Sequence, residues 1–344
     1  MATQRFAPLV QAADVVTHTL RREAHDRVDH VRRRFQHQPE PGAVGWDVVN
    51  LDLNGRNFRY RVTQNTVGPN GEPPVWAINI HGYFAGGSMY ARESERLARK
   101  MGWRVVNPSL PGFGGSDPIG WSEVTITSLG DHLDIVRREL GIERFVLLGH
   151  SMGAAVAVDY AARHPRDVLG VIYRDGIATP EWQVRHGLPA RLLNGVLPDV
   201  APVVDLMSAV ALDAPDLLIG HMFTTIRALL PDLRANVKTV ARSAPIGTML
   251  MGLDLTETVR RVRDADIPIY GVWGCFDHVV TPPAAVSFAR AAGVSIQWVP
   301  GGHSWMLARP SGQTDLLSEV PSGRAFVAAM EQRRRTRPRL RSVS

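Results

Sequence analysis

The 344 residues include one cysteine, Cys275, so no disulfide can form within the chain and packing alone must hold the fold. Nothing in that composition requires an oxidising compartment, and a cytoplasmic address is the expectation. No stretch reads as a membrane span, because the longest uncharged runs, such as Ala291–Ala308, are interrupted by glycine, proline and polar residues. The apolar stretch around Ala7–Ala13 is short, runs into Asp14 and lacks a small-residue cleavage site, so it does not read as a signal peptide. Metal-ligand spacing is absent as well, and neither a metal nor a cofactor is expected. Acidic residues are missing from 332–344, which hold six arginines and so account for the whole net charge of +6. The body of the chain is therefore neutral, no nucleic-acid partner is expected, and 332–344 reads as a solvated, arginine-rich tail.

What is present suffices for one large core, with 44% hydrophobic residues and room for an insertion. Leu9, Ala13, Val16, Leu20, Ala24, Val28, Val31 and Phe35 recur at steps of three and four, which predicts an amphipathic helix. Its polar face is rich in arginine, so it could dock on the body or a second subunit, or, less favoured, lie on a membrane surface. Residues 1–45 comprise this helix and a linker. Two β-rich runs, Trp46–Leu53 and Asn57–Thr63, flank Asn54-Gly55, a dipeptide suited to a tight hairpin. Short apolar strands then alternate with helical stretches: Val75–Ile80, Arg104–Val106, Phe145–Leu148, Val168–Tyr173, Ile267–Trp273 and Ser295–Val299. The pattern predicts an α/β fold with a mostly parallel central sheet flanked by helices. Between Tyr173 and Ile267 the chain loses strand-like alternation and reads as a helical insertion, cut by Pro198, Pro202, Pro215 and Pro231.

Gly149-His150-Ser151-Met152-Gly153 lies between the strand ending at Leu148 and a small-residue helical run, Ala154–Arg163. A serine on such a sharp strand-to-helix turn is exposed as a nucleophile, and the helix N-terminus favours developing negative charge. Serine needs a base to take its proton and a third group to hold that base in the right tautomer. His303 in Gly301-Gly302-His303-Ser304-Trp305 follows the last predicted strand, and Asp277 in Gly274-Cys275-Phe276-Asp277-His278 follows the one before it. Carboxyl ends of parallel strands share one edge of the sheet, so Ser151, Asp277 and His303 can converge there.

On these motifs the chain resembles the α/β-hydrolase fold superfamily over roughly residues 46–330. It resembles a serine esterase or lipase with a helical cap. Ile80-His81-Gly82-Tyr83 and Pro111-Gly112-Phe113-Gly114-Gly115-Ser116 are similar to further family motifs, except that Ser109 stands where an aspartate is frequent. The resemblance implies an oxyanion hole from the backbone N–H groups of Tyr83 and Met152, a core of 46–175 and 264–331, and a cap over 176–263. It also admits Asp175, after the strand ending at Tyr173, as a rival acid. His81, Phe84, His150 and Trp305 are candidate pocket residues, with His81 and His150 more fitting as supports than as proton carriers. The implied activity is cleavage of a small, apolar carboxylic ester or related acyl compound through an acyl-enzyme. Carbon–carbon bond hydrolysis, or cofactor-free haloperoxidase (perhydrolase) chemistry with the same triad, is the alternative within the fold. A non-catalytic ligand-binding protein is the alternative of another class.

Overall fold

The computed structural model describes residues 44–64, 68, 71–183, 230, 232, 234–236 and 245–336. The expected N-terminal helix, most of the expected cap and residues 337–344 lie outside the described residues.

The chain opens on strands β1 (Trp46–Leu53) and β2 (Arg56–Thr63), paired antiparallel. Asn54 and Gly55 both take positive φ, 56° and 80°, as a two-residue hairpin turn with the twist of its strands demands. Six further strands follow: β3 (Trp76–Ile80), β4 (Arg104–Pro108), β5 (Phe145–His150), β6 (Val168–Arg174), β7 (Ile269–Gly274) and β8 (Ile296–Val299). The sheet order is β1-β2-β4-β3-β5-β6-β7-β8, with β2 antiparallel to β4 and β4 through β8 parallel. The chain leaves β3 for β4 on one side, then returns past β3 to place β5 on the other. That reversal makes the carboxyl ends of β3 and β5 the switch point, where open α/β sheets present a crevice.

Every residue of β5 and β6 is buried, which explains their continuous apolar runs. Successive side chains serve opposite layers. Phe145, Leu147, Val171 and Tyr173 pack in one cluster, whereas Val146, Leu148, Ile172 and Val272 pack in the other. Helices α1 (Ala91–Met101), α2 (Ile126–Glu139) and α3 (Met152–Arg163) connect the first strands. Helices α4 (Thr256–Asp264), α5 (Pro282–Ala292), α6 (Trp305–Ala308), α7 (Gly312–Glu319) and α8 (Pro321–Arg335) complete the layers. Among the described residues no helix is long and apolar enough to cross a membrane.

Two expected boundaries fall within helices. The cap is expected to run to residue 263; α4, within that range, packs against α3 and α5, and its Val259 and Val262 are fully buried. The arginine tail was expected from 332, but α8 continues to Arg335. Arg333 donates to the carbonyls of Val168 (3.0 Å), Pro165 (2.6 Å) and Asp266 (3.2 Å). Basic side chains at a helix C-terminus also suit its dipole.

Beneath the carboxyl ends of the strands lies a buried polar network with no counterpart in the sequence motifs. Arg174 and Glu93 form an ion pair with both side chains inaccessible to solvent. Asn79 accepts from Arg174 at 2.7 Å and donates to Glu93 at 2.9 Å, while Ser94 donates to Asn107 at 2.8 Å. Removing one partner of such a pair leaves an uncompensated buried charge. Glu93→Ala is therefore expected to lower unfolding free energy by about 3–5 kcal/mol in urea melts. The double variant Glu93→Leu/Arg174→Met should recover most of that loss.

Candidate active site

Ser151 stands between β5 and α3 at φ 55, ψ −119, a left-handed backbone that a residue with a β-carbon adopts only when held there. Its N–H donates to the Arg174 carbonyl at 3.1 Å, and its own carbonyl accepts from Ala154 at 3.1 Å. The flanking glycines are required by close approach. A β-carbon on Gly149 would lie 2.5 Å from the Gly153 carbonyl oxygen, and one on Gly153 would strike the Ile80 carbonyl. Strand β3 can thus run against the start of α3. The loop after β3 lies directly on the serine, since a β-carbon on Gly82 would sit 3.2 Å from Ser151 Cβ. Tyr83 and Met152 follow Gly82 and Ser151 directly in the chain, at this junction of loop and helix start.

Asp277 and His303 are brought together by the loops that continue β7 and β8. Cys275 N–H donates to Val299 O at 2.8 Å and Phe276 N–H to Gly301 O at 3.0 Å, so the two loops run as a hydrogen-bonded pair. His303 Nδ1 then lies 2.9 Å from Asp277 Oδ2. The other carboxylate oxygen, Oδ1, accepts from the N–H groups of Val279 (2.7 Å) and Val280 (2.8 Å). These bonds fix the carboxylate's orientation toward the imidazole.

Asp175, the rival acid, is fully buried beside them at φ 45. It accepts from Gly274 N–H and from Trp305 Nε1–H, each at 2.7 Å. Burial pushes its carboxyl well above the ordinary carboxylate range, and the neighbouring Asp277 pushes it further. Asp175, Asp277 and His303 each offer a ligand atom within 4.8 Å of the others. The oxygens of both carboxylates accept hydrogen bonds from N–H donors, and Asp277 shares one of its oxygens with His303.

Three of the four expected pocket residues, His81, His150 and Trp305, are buried. His81 has no exposed surface. Its Nε2 accepts from Leu110 N–H at 2.9 Å, which leaves Nδ1–H to donate to Gly82 O at 2.7 Å. Burial holds its pKa down at about 4, against an ordinary 6.5. His150 is tied to the Tyr90 hydroxyl through Nδ1 (2.6 Å) and to the His303 carbonyl through Nε2 (2.8 Å). Burial first, then the nearby His303 and Arg174, keep it well below its usual range. Trp305 is buried against Asp175. Turned inward, the polar atoms of these side chains are satisfied by loop backbone groups, the Tyr90 hydroxyl and Asp175. Phe84 alone of the four is exposed, at 44%, and Phe276, beside Asp277, is exposed at 62%. Tyr90, which anchors His150, was not singled out from the sequence, and no local motif marks it.

A model of the alpha/beta hydrolase fold family matches residues 78–292. The chain belongs to that family. A protein of Mycobacterium phage D29 that carries the name non-heme haloperoxidase is 28% identical over 75% of the chain and 90% of its own length. A pimeloyl-[acyl-carrier protein] methyl ester esterase of Aromatoleum aromaticum is 27% identical over 72% of the chain and 98% of its own length. The solved enol-lactonase of Burkholderia xenovorans LB400 shares the fold, with a TM-score of 0.58 at 19% identity over 81% of the chain and all of its own.

The His81 environment sets a pH dependence of stability. Between pH 6.5 and 4 the unfolded chain binds a proton at this residue that the folded chain refuses, so this contribution is complete above pH 6.5 and is lost as pH falls. Asp175, with a raised pKa, acts with the opposite sign, so the clean quantity is a difference between proteins. The stability of wild type minus that of His81→Asn is expected to fall by about 3 kcal/mol from pH 7 to pH 4 in urea melts. Parallel pH curves for the two proteins would remove His81 as the cause.

Proposed function

We propose that the chain is a serine hydrolase acting on carboxylic esters or closely related acyl compounds. The observation that carries this reading is the buried Asp277–His303 hydrogen bond of 2.9 Å, at the same sheet edge as a serine in strained elbow geometry. Ser151 Oγ attacks the carbonyl carbon while His303 takes its proton, and Asp277 stays ionised to stabilise the imidazolium. The backbone N–H groups of Tyr83 and Met152 receive the oxyanion, each such donor contributing about 3–4 kcal/mol to the transition state. His303 returns the proton to the leaving alcohol. Water, activated in turn by His303, then releases the acid and restores Ser151. The exposed rings of Phe84 and Phe276, on the loops that carry Tyr83 and Asp277, suit an apolar substrate. The methyl ester esterase among the relatives supports the same class of bond.

The haloperoxidase name of the phage relative favours a second reading through the same acyl-enzyme. Hydrogen peroxide would replace water as the attacking group, and the products would be a peracid and free Ser151. Peracid formation from acetic acid and peroxide, read by bromide oxidation, separates the two readings.

Purified protein is expected to be labelled by a fluorophosphonate and to cleave short p-nitrophenyl esters, both activities disappearing in Ser151→Ala. A wild-type protein that takes no label overturns the reading in favour of a binding protein. Asp277→Asn should lower kcat by on the order of 10⁴-fold, through the wrong histidine tautomer. Asp175→Asn, which keeps an acceptor for one of the two N–H donors, should cost far less in the same assay.

A further inference from the structure

The loop from Gly82 to Tyr90 carries the proposed oxyanion amide of Tyr83, and it is held in a conformation it would not keep alone. The Gly82 carbonyl accepts from Ala85 N–H at 3.2 Å, closing a four-residue turn with Tyr83 and Phe84 at its centre. Phe84 stands at φ 61. The third position of a turn takes positive φ readily as glycine, whereas a residue with a side chain there costs about 1–3 kcal/mol. Such a turn relaxes unless its surroundings fasten it.

The fastening comes from the inserted segment. Residues 230, 232 and 234–236 are helical, and Asp232 and Asn236, one turn apart, are both buried. Asn236 Nδ2 donates to the carbonyls of Phe84 (2.7 Å) and Ala85 (3.1 Å), the two residues that leave the turn. Its Oδ1 accepts from Gly114 N–H at 2.8 Å, in the glycine-rich loop after β4. Asp232 Oδ2 accepts from Met89 N–H at 3.0 Å, near the far end of the same oxyanion loop. One buried amide therefore uses its donor on one loop and its acceptor on the other. A carboxylate in its place would have no hydrogen for the carbonyls of Phe84 and Ala85.

We propose that Asn236 is a positioning residue: its amide clamps the Gly82–Ala85 turn so that Tyr83 N–H points at the oxygen of the carbonyl that Ser151 attacks. The inference rests on the serine-hydrolase reading. It adds that the inserted segment is part of the oxyanion machinery and more than a cover over the pocket. Asn236 touches no reacting atom, and its effect passes through the backbone of Phe84 and Ala85.

The test uses full-length wild type, Asn236→Ala and Asn236→Asp, with p-nitrophenyl butyrate as substrate and a phenylboronic acid as inhibitor. The tetrahedral boronate adduct on serine places an oxygen where the oxyanion forms. Asn236→Ala is expected to lower kcat by about tenfold to a hundredfold, as misplacement near a reacting group does, with KM little changed. The boronate inhibition constant should rise by a similar factor. Asn236→Asp gives a signature that a merely structural role would not produce. Its ionised carboxylate repels the two carbonyls, but the protonated acid donates to them, so the ratio of variant to wild-type kcat should climb as pH is lowered. That ratio remains decisive even if Asn236→Ala fails to fold. Wild-type boronate affinity and kcat in Asn236→Ala, a rise in KM alone, or a pH-independent ratio in Asn236→Asp overturns the role of Asn236. Those outcomes, in a wild type that fluorophosphonate labels, leave the serine reading standing, whereas an unlabelled wild type overturns the serine reading itself.

Discussion

The backbone of Ser151 stands in a region where a β-carbon crowds its own peptide, and such geometry persists only where the surroundings leave no alternative. Arg174 is central to that constraint. Its carbonyl receives the Ser151 N–H, and its guanidinium is buried in the pair with Glu93. Asn79 links the pair to β3, and Ser94 and Asn107 extend it to β4. The strained residue is therefore anchored in a polar layer that crosses four neighbouring strands. A buried polar network of this kind is costly unless every member is satisfied, and here its members bond one another. Rigidity at the elbow and ion pairing beneath it are two aspects of one arrangement.

Around that anchor, electrostatics sorts three histidines and two aspartates that lie close together. His81 and His150 are each held neutral, with both ring nitrogens committed, so they serve as struts between loops. His150 joins Tyr90 to the His303 carbonyl, which couples the start of α1 to the loop after β8. His303 differs in facing a carboxylate whose orientation is fixed by two backbone N–H groups. Asp175 and Asp277 sit side by side, and burial drives Asp175 toward its neutral form. Two carboxyl groups so placed divide their tasks by environment, since both cannot readily ionise at such close range.

Much of the fold could be read from the chain because the strands of a doubly covered sheet are short apolar runs, and β3 to β8 were each anticipated to within a few residues. Ser151, Asp277 and His303 were conspicuous for a local reason: each lies in a glycine-marked loop directly after a strand. Glu93, Arg174, Tyr90 and Asn236 were not, because a polar residue paired across a large sequence separation leaves no local period. Helix α4 was assigned to the insertion because its apolar positions, Val259 and Val262, look the same whether they face a sheet or another helix. His81 and His150 already read as supports, but the burial of Trp305 against Asp175 had no local signal. Proximity to a motif in the sequence does not say on which side of the loop a ring will lie.

Cys275, the one thiol of the chain, lies half-buried at the junction of the loops after β7 and β8, its N–H bonded to Val299 and its ionisation suppressed by burial and by Asp175. Alkylating reagents attack the thiolate, so this sulfur reacts slowly while the junction stays closed. Any separation of the two loops that hydrates the sulfur would speed that reaction. Its alkylation rate would therefore register any opening of the seam that keeps imidazole and carboxylate together, with no foreign label introduced.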